Sequence, residues 1–253
     1  VLPLYANTHT ESSGTGLQTS RFREEARRII RDAVGGSDEH AVIFCGSGMT
    51  GAINKLVDVL GLRIPSELED RYGLSAQIPE RDRPVVFIGP YEHHSNELPW
   101  RESIADVITI GEDADGRIDL TRLERALQEH ADRPLKIGSF SAASNVTGIL
   151  SDTRAISVLL HRHGARSFWD FAAAGPYVEI EMSPHRPGPD EHRVGVVAQQ
   201  GEHPVVRWGV DRAAAPVGPD GGPVERAHHV RAHPASARGP VEVPQHLSTD
   251  PRS

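Results

Sequence analysis

The sequence predicts an α/β protein, a mixed and mostly parallel sheet flanked by helices, followed by an irregular C-terminal tail. Three observations carry this. From residue 1 to about 182, short apolar runs alternate with amphipathic stretches, the rhythm of strands joined by crossover helices. Polar, glycine-bearing motifs recur just after the apolar runs, where open α/β sheets bind ligands. After about His192 the texture changes to Pro, Gly, His, Arg and Ala, with neither a helical nor a two-residue period. The chain accordingly divides into a large domain over 1–192 and a low-complexity tail over 193–253, read as disordered or out of frame.

The elements follow in order. Ser20 is placed to cap a first helix in which Phe22, Ala26, Ile29, Ile30 and Ala33 recur at helical spacing, and Gly35-Gly36 ends it. Ala41 to Cys45 reads as a buried strand. A helix from about Thr50 to Leu60 comes next, then strands over 85–88 and 107–110, a helix over 120–129, a strand over 135–140, a helix over 153–163 and a strand over 167–170. The polar motifs fall in the loops between them.

Bulk properties narrow the function classes. At 253 residues the chain is long enough for one large α/β domain or two small ones. A formal charge of -8, with arginines spread among acids, disfavours a nucleic-acid binder and favours a small-molecule partner. Cys45 is the lone cysteine, which excludes an internal disulfide and a CxxC metal pair and makes a reducing cytoplasm the expected setting. No run of about 18 apolar residues exists, so no membrane partner is expected. The opening Val1, in what reads as structured sequence, suggests that material is missing at the front.

Four motifs carry chemistry. Gly46-Ser-Gly48-Met49-Thr50 lies between a strand and a helix, where backbone N–H groups and the Thr50 hydroxyl can converge on a dianion, though the same turn is also ordinary loop chemistry. It departs from the Walker pattern, which disfavours nucleotide hydrolysis. Glu92-His93-His94-Ser95-Asn96 follows a strand, and an imidazole there can stack on an aromatic cofactor; exposed loop histidines are the plain alternative. No third Cys, His or carboxylate sits at helical or hairpin spacing from the histidine pair, so no metal is expected. Ser144-Asn145-Val146-Thr147-Gly148 and Asp170 each end a strand, and a carboxylate there can hold a pyridine nitrogen protonated, or serve as a turn residue. Together they place four loops on one edge of the sheet.

In this order the motifs resemble those of the class V aminotransferases, the fold-type I pyridoxal-phosphate (PLP) enzymes that include cysteine desulfurases. The likeness covers about residues 1–182 and is strongest at Glu92-His-His-Ser-Asn-Glu-Leu-Pro-Trp100. The opening Tyr5-Ala-Asn-Thr-His9 is similar to a segment near the active site of relatives. The resemblance implies PLP as cofactor, a small amino-acid substrate, a homodimer in intact relatives, and a site in which Gly48, Met49 and Thr50 bind the phosphate. It further implies that His93 stacks on the ring, that Asn145 approaches the phenolic oxygen or the substrate carboxylate, and that Asp170 pairs with the pyridinium. Ala173 stands where the family has a glutamine, which removes one hydrogen bond to the cofactor. Cys45, in the strand before the phosphate turn, reads as a buried structural thiol and not as a desulfurase nucleophile.

The Schiff-base lysine of the family follows the aspartate, but the only lysines of this chain, Lys55 and Lys136, precede it. As translated, the chain is expected to be inactive; a non-catalytic PLP-fold remnant that binds a ligand or regulates a partner is the alternative. An NAD-binding Rossmann protein is disfavoured because GxGxxG is missing after the first strand. A frameshift near Arg193 accounts for both the lysine and the tail. Reading the last two bases of each codon with the first of the next, Arg193 to Gly201 permits Ala-Leu-Val-Leu-Ser-Pro-Asn-Lys, similar to the family's strand and lysine. The lysine codon straddles Gln200 and Gly201, and the Trp208-Gly209 junction must then read as glycine.

Overall fold

The computed structural model describes residues 4–46, 48–182, 195–200 and 203–208, the last two segments as backbone only. In chain order the elements are α1 (Gly14–Ala33), β1 (Ala41–Phe44), α2 (Gly48–Val59), α3 (Ser66–Tyr72), β2 (Val85–Ile88), α4 (His94–Arg101) and β3 (Asp106–Thr109). They continue with α5 (Leu120–Glu129), β4 (Lys136–Ser141), α6 (Thr153–Arg162), β5 (Arg166–Asp170), β6 (Gly195–Gln200) and β7 (His203–Trp208). The strands form one sheet in the order β1-β7-β6-β5-β4-β2-β3. From β3 to β6 all pairs are parallel, and β7 is antiparallel to both β6 and β1. β1 therefore runs with the parallel set, so β1, β2, β3, β4, β5 and β6 all end on the same edge.

Alternation along the strands sorts side chains onto two faces. Val85, Phe87, Phe140 and Trp169 point to one face, where they meet Leu123 and Leu127 of α5 and Ile156 and Leu160 of α6. Val86, Ile88, Ile137 and Phe168 point to the other, against Met49, Ile53, Leu56 and Val57 of α2 and Trp100 of α4. Side chains of this size each contribute about 2–3 kcal/mol when fully buried. The indole of Trp169 also donates to Ser157 Oγ at 2.9 Å, so its polar atom is satisfied inside the core. Helices α5 and α6 start where Asp119 and Asp152 accept from the backbone N–H groups of Arg122 and Ala155, the N-cap arrangement.

The structure departs from the sequence reading in several places. α1 begins at Gly14 with Ser13 as its cap, accepting from Gly16 N, while Ser20 lies inside the helix and accepts from His9 N. Among the described residues β1 is an edge strand with no neighbouring strand on one flank, and of its four residues only Val42 is buried. The stretch after Glu92 is helical from His94, with His93 as N-cap, where the sequence predicts a loop. α3 and the single helical turns at Ser75–Gln77 and Glu80–Asp82 have no counterpart in the sequence reading, since they bury no residue and so show no apolar stripe. Beyond about residue 192, where the sequence predicts no regular structure, β6 and β7 complete the sheet between β5 and β1. The other residues of that tail lie outside the described ones.

Close packing between sheet and helix generates a direct test. A Cβ placed on Gly138, in the middle of β4, would sit 2.4 Å from Leu160 Cδ1 and 2.8 Å from Phe140 Cε2, both of fully buried side chains. Gly138→Ala is expected to lower stability by about 1–3 kcal/mol through overpacking, read as a reduced urea midpoint with an unchanged slope. An unchanged midpoint would mean that α6 is free to shift away from the sheet.

Candidate functional site

The phosphate-type turn links β1 to α2. Gly46 and Gly48 have φ of 53° and 66°, values that side-chain-bearing residues rarely adopt. A Cβ on Gly46 would also lie 3.0 Å from Gly51 Cα, so the backbone folds tightly back on the first turn of α2. The opening N–H groups of α2, at Gly48, Met49 and Thr50, have no carbonyl partner within the helix and carry the positive end of its dipole. Met49 points its side chain into the core, which leaves its N–H as the only group it can offer a ligand, whereas Thr50 is exposed.

At the end of β2, His93 caps α4. Its Nδ1 accepts from Ser95 N at 3.2 Å and lies 2.8 Å from Ser95 Oγ, while the ring itself is exposed. These contacts fix the ring's orientation and leave Nε2 as the protonated nitrogen of the neutral form. Directly before it, Glu92 is drawn inward. Its Oε1 accepts from Gly89 N at 3.2 Å and Ser141 N at 2.9 Å, and its Oε2 from Asn96 Nδ2 at 2.7 Å and Ser141 Oγ at 2.6 Å. The fully buried Asn96 in turn accepts from Ser139 Oγ at 2.7 Å. Burial pushes the Glu92 carboxyl above its ordinary value, and these donors oppose the rise.

At the end of β4 the chain turns through an Ala143–Leu150 bridge. The Ser144 hydroxyl accepts from Val146 N and Thr147 N at 3.3 and 3.2 Å and shapes the loop. Asn145 sits exposed on that loop. At the end of β5 Asp170 is buried, and its Oδ1 accepts from Ala172 N at 2.7 Å, the bond of a turn residue. Desolvation pushes its carboxyl up to about 6; the Ala172 bond opposes this and the nearby Glu92 charge adds to it. Among the described residues no ion pair involves Asp170.

Strand parity places Asp170 on the same face as Phe168, and Ser139 and Ser141 on the same face as Ile137, so all three look toward α2 and α4. β2 and β5 are separated only by β4, about 10 Å at ordinary strand spacing. The turn before α2, His93, Asn145 and Asp170 thus share one edge, with Asp170 and the Glu92 network on the face that α2 covers. Sequence reasoning missed Glu92, Asn96, Ser139 and Ser141. For the two serines the signal was the alternation Ser139-Phe140-Ser141 at the end of Lys136–Ser141, a strand whose last five residues are buried.

Neither lysine belongs to this edge. Lys136 opens β4 at the opposite end of the sheet, five residues or about 16 Å along the strand from Ser141, and its Nζ donates to Ala131 O at 3.2 Å. Lys55 is exposed, two turns into α2. Cys45 is half-buried against the α2 cluster, and burial raises its thiol pKa while Lys55 opposes the rise. Among the described residues, no group of three or more His, Cys, Asp or Glu is arranged to hold a metal, and no helix is long and apolar enough to cross a membrane.

The chain is 28% identical over 181 residues, 70% of its length and 40% of the other's, to a probable cysteine desulfurase of Halalkalibacterium halodurans. It is 28% identical over 180 residues, 70% of its length and 39% of the other's, to a probable cysteine desulfurase of Methanothermobacter thermautotrophicus. Its fold matches the apo structure of a cysteine desulfurase from Thermococcus onnurineus with a TM-score of 0.60 at 20% identity, over 81% of this chain and 47% of that one. The chain spans less than half the length of these proteins. The Aminotransferase class-V family matches residues 2–185, and with the shared fold and the edge just described, the chain belongs to that family.

Proposed function

We propose that this chain is the cofactor-holding large domain of a cysteine desulfurase-like class V aminotransferase that acts on an amino acid, and that as translated it holds PLP noncovalently without turnover. The observation that carries this reading is Asp170, a buried carboxylate raised to about 6 that makes no ion pair among the described residues. A buried anion without a partner is costly, and a protonated pyridine nitrogen is the partner that such a carboxylate fits. The residues of the edge fit the rest of the group. The N–H groups of Gly48 and Met49 and the Thr50 N–H and hydroxyl suit a phosphate at a helix start. The His93 ring, fixed through Ser95, suits a flat stack. Asn145 is placed for the phenolic oxygen or the substrate carboxylate.

When bound, PLP supplies an electron sink for amino-acid chemistry. Asp170 keeps the ring nitrogen protonated, and His93 holds the ring face. Neither lysine stands on this edge to form a covalent anchor or carry the α-proton, so binding and orientation are the tasks this chain performs. The second half of the proposal is that the missing lysine is encoded but hidden by the frameshift near Arg193. β6 bears on it: the strand runs parallel to β5 with Val197 opposite Asp170, and Gln200, where the lysine codon would begin, is three residues further along the strand. A lysine read there would follow the segment that pairs with β5.

Three outcomes test the reading. Asp170 has a folded-state pKa raised from 3.8 to about 6, so the folded protein holds a proton that the unfolded chain has released, and stability falls as pH rises through that window. In the ligand-free protein Asp170→Asn is expected to gain about 1–3 kcal/mol at pH 7.5 and nothing at pH 3.5, measured by urea unfolding. The same variant should lose PLP affinity at least about tenfold in a spectral titration, since an unpaired buried ring cation costs several kcal/mol; equal affinity and spectra would remove Asp170 from the site. Borohydride reduction in the presence of PLP should leave no stoichiometric adduct on Lys55 or Lys136 by peptide mapping, and an adduct that tracks with activity would overturn the noncovalent reading. Sequencing the gene across codons 193–209 decides the frameshift: a shifted frame without lysine followed by a foldable, glycine-rich continuation refutes it.

A further inference from the structure

We infer that Glu92 is the positioning residue of this edge: one carboxylate ties the end of β2, the first turn of α4 and the end of β4 together, and so holds His93 and Asp170 in register. The bonds are specific in direction. Gly89 N reaches Oε1 from the strand end, Asn96 Nδ2 reaches Oε2 from α4, and Ser141 reaches both oxygens, by its N–H and its hydroxyl. Position 89 has no room for a side chain, because a Cβ there would meet Glu92 Oε1 at 2.6 Å. Ser141 is the residue paired with Asp170 between β4 and β5, so the carboxylate's grip on Ser141 passes along the ladder to the aspartate. In the other direction His93 is the next residue of the chain, and its position as N-cap depends on how Glu92 anchors the start of α4. All four groups donate, which suits an ionised carboxylate and leaves a neutral amide with one donor facing another. A role confined to fold stability would need none of these bonds to influence the ring of His93 or the binding of a ligand.

The inference uses the PLP reading only for its ligand, and the experiment separates the two. Glu92→Gln and the swap Glu92→Gln/Asn96→Asp are made in the full chain; the swap exchanges amide and carboxylate and restores a donor for every acceptor. Two quantities are read: PLP affinity with the induced circular dichroism of the added PLP, and the imidazole nitrogen signals of His93 in the ligand-free protein, assigned through His93→Gln. Glu92→Gln is expected to weaken PLP about tenfold or more, to lose the induced band and to shift the His93 signals, while the swap recovers affinity to within about threefold. Unchanged affinity and unchanged His93 signals in Glu92→Gln overturn the inference, and so does a folded swap that restores neither. If the unaltered chain binds no PLP, the cofactor reading fails and the His93 signals alone decide the role of Glu92. Should Glu92→Gln not fold, Ser141→Ala, which removes the hydroxyl and keeps the N–H, is judged by the same readouts and the same criteria.

Discussion

Two carboxylates, Glu92 and Asp170, lie in the interior at one edge of a largely parallel sheet, and their unequal satisfaction organises the site. Glu92 is surrounded by donors from three elements, whereas Asp170 has a single backbone N–H and the repulsion of its neighbour. In a low-dielectric setting the first arrangement is self-sufficient and the second is not. The asymmetry gives the edge its chemical character: one anion is used up in building the scaffold and the other remains free to attract a cation. The same charge that locks β2, α4 and β4 together also raises the proton affinity of Asp170, so scaffold and site are electrostatically one unit.

The sheet makes that unit possible by dividing its side chains. On one face, Phe87, Phe140 and Trp169 build a dry core with α5 and α6. On the other, the apolar set thins toward the C-terminal edge, and Ser139, Ser141 and Asp170 take the inward positions that aliphatic residues hold further back. The transition occurs within single strands: Ile137 is core, and two and four residues later the same face of β4 is polar. Buried hydroxyls and carboxylates cost stability relative to well-packed aliphatics. Their concentration at the one edge where β1 to β6 end in parallel is what the proposed site accounts for and packing alone does not.

Most of this is legible in the sequence, for identifiable reasons. Strand Val85–Ile88 and helix Leu120–Glu129 have the bounds their sequence predicts because an all-apolar run and an amphipathic period are strong local signals. The loop motifs stand out because their spacing after strands is a chain-level property. What escapes the sequence depends on tertiary context. His93 is an N-cap through a bond from Ser95 N that composition does not reveal, and Pro99 inside α4 argues against a helix there. Ser13 outcompetes Ser20 as cap because the segment before α1 folds back, with His9 N using the Ser20 hydroxyl instead. β6 and β7 are short runs flanked by Pro, Gly and His, and their pairing with β5 and β1 specifies them where local pattern does not.

The placement of β6 bears on how the lysine problem is to be understood. A pseudoenzyme that had long since given up its cofactor would be free to replace Asp170, Asn96 and the two buried serines by apolar residues, and would gain stability by doing so. This chain holds each of them in a hydrogen-bonded arrangement and has a tight glycine turn before α2. The family match ends at residue 185, and before that point the departure already noted is Ala173. Gradual loss of function erodes a site residue by residue, whereas a single change of reading frame removes everything downstream and nothing upstream. The bonded network around Glu92 and Asp170, upstream of the point where the family match ends at residue 185, is the observation that the frameshift proposal has to account for.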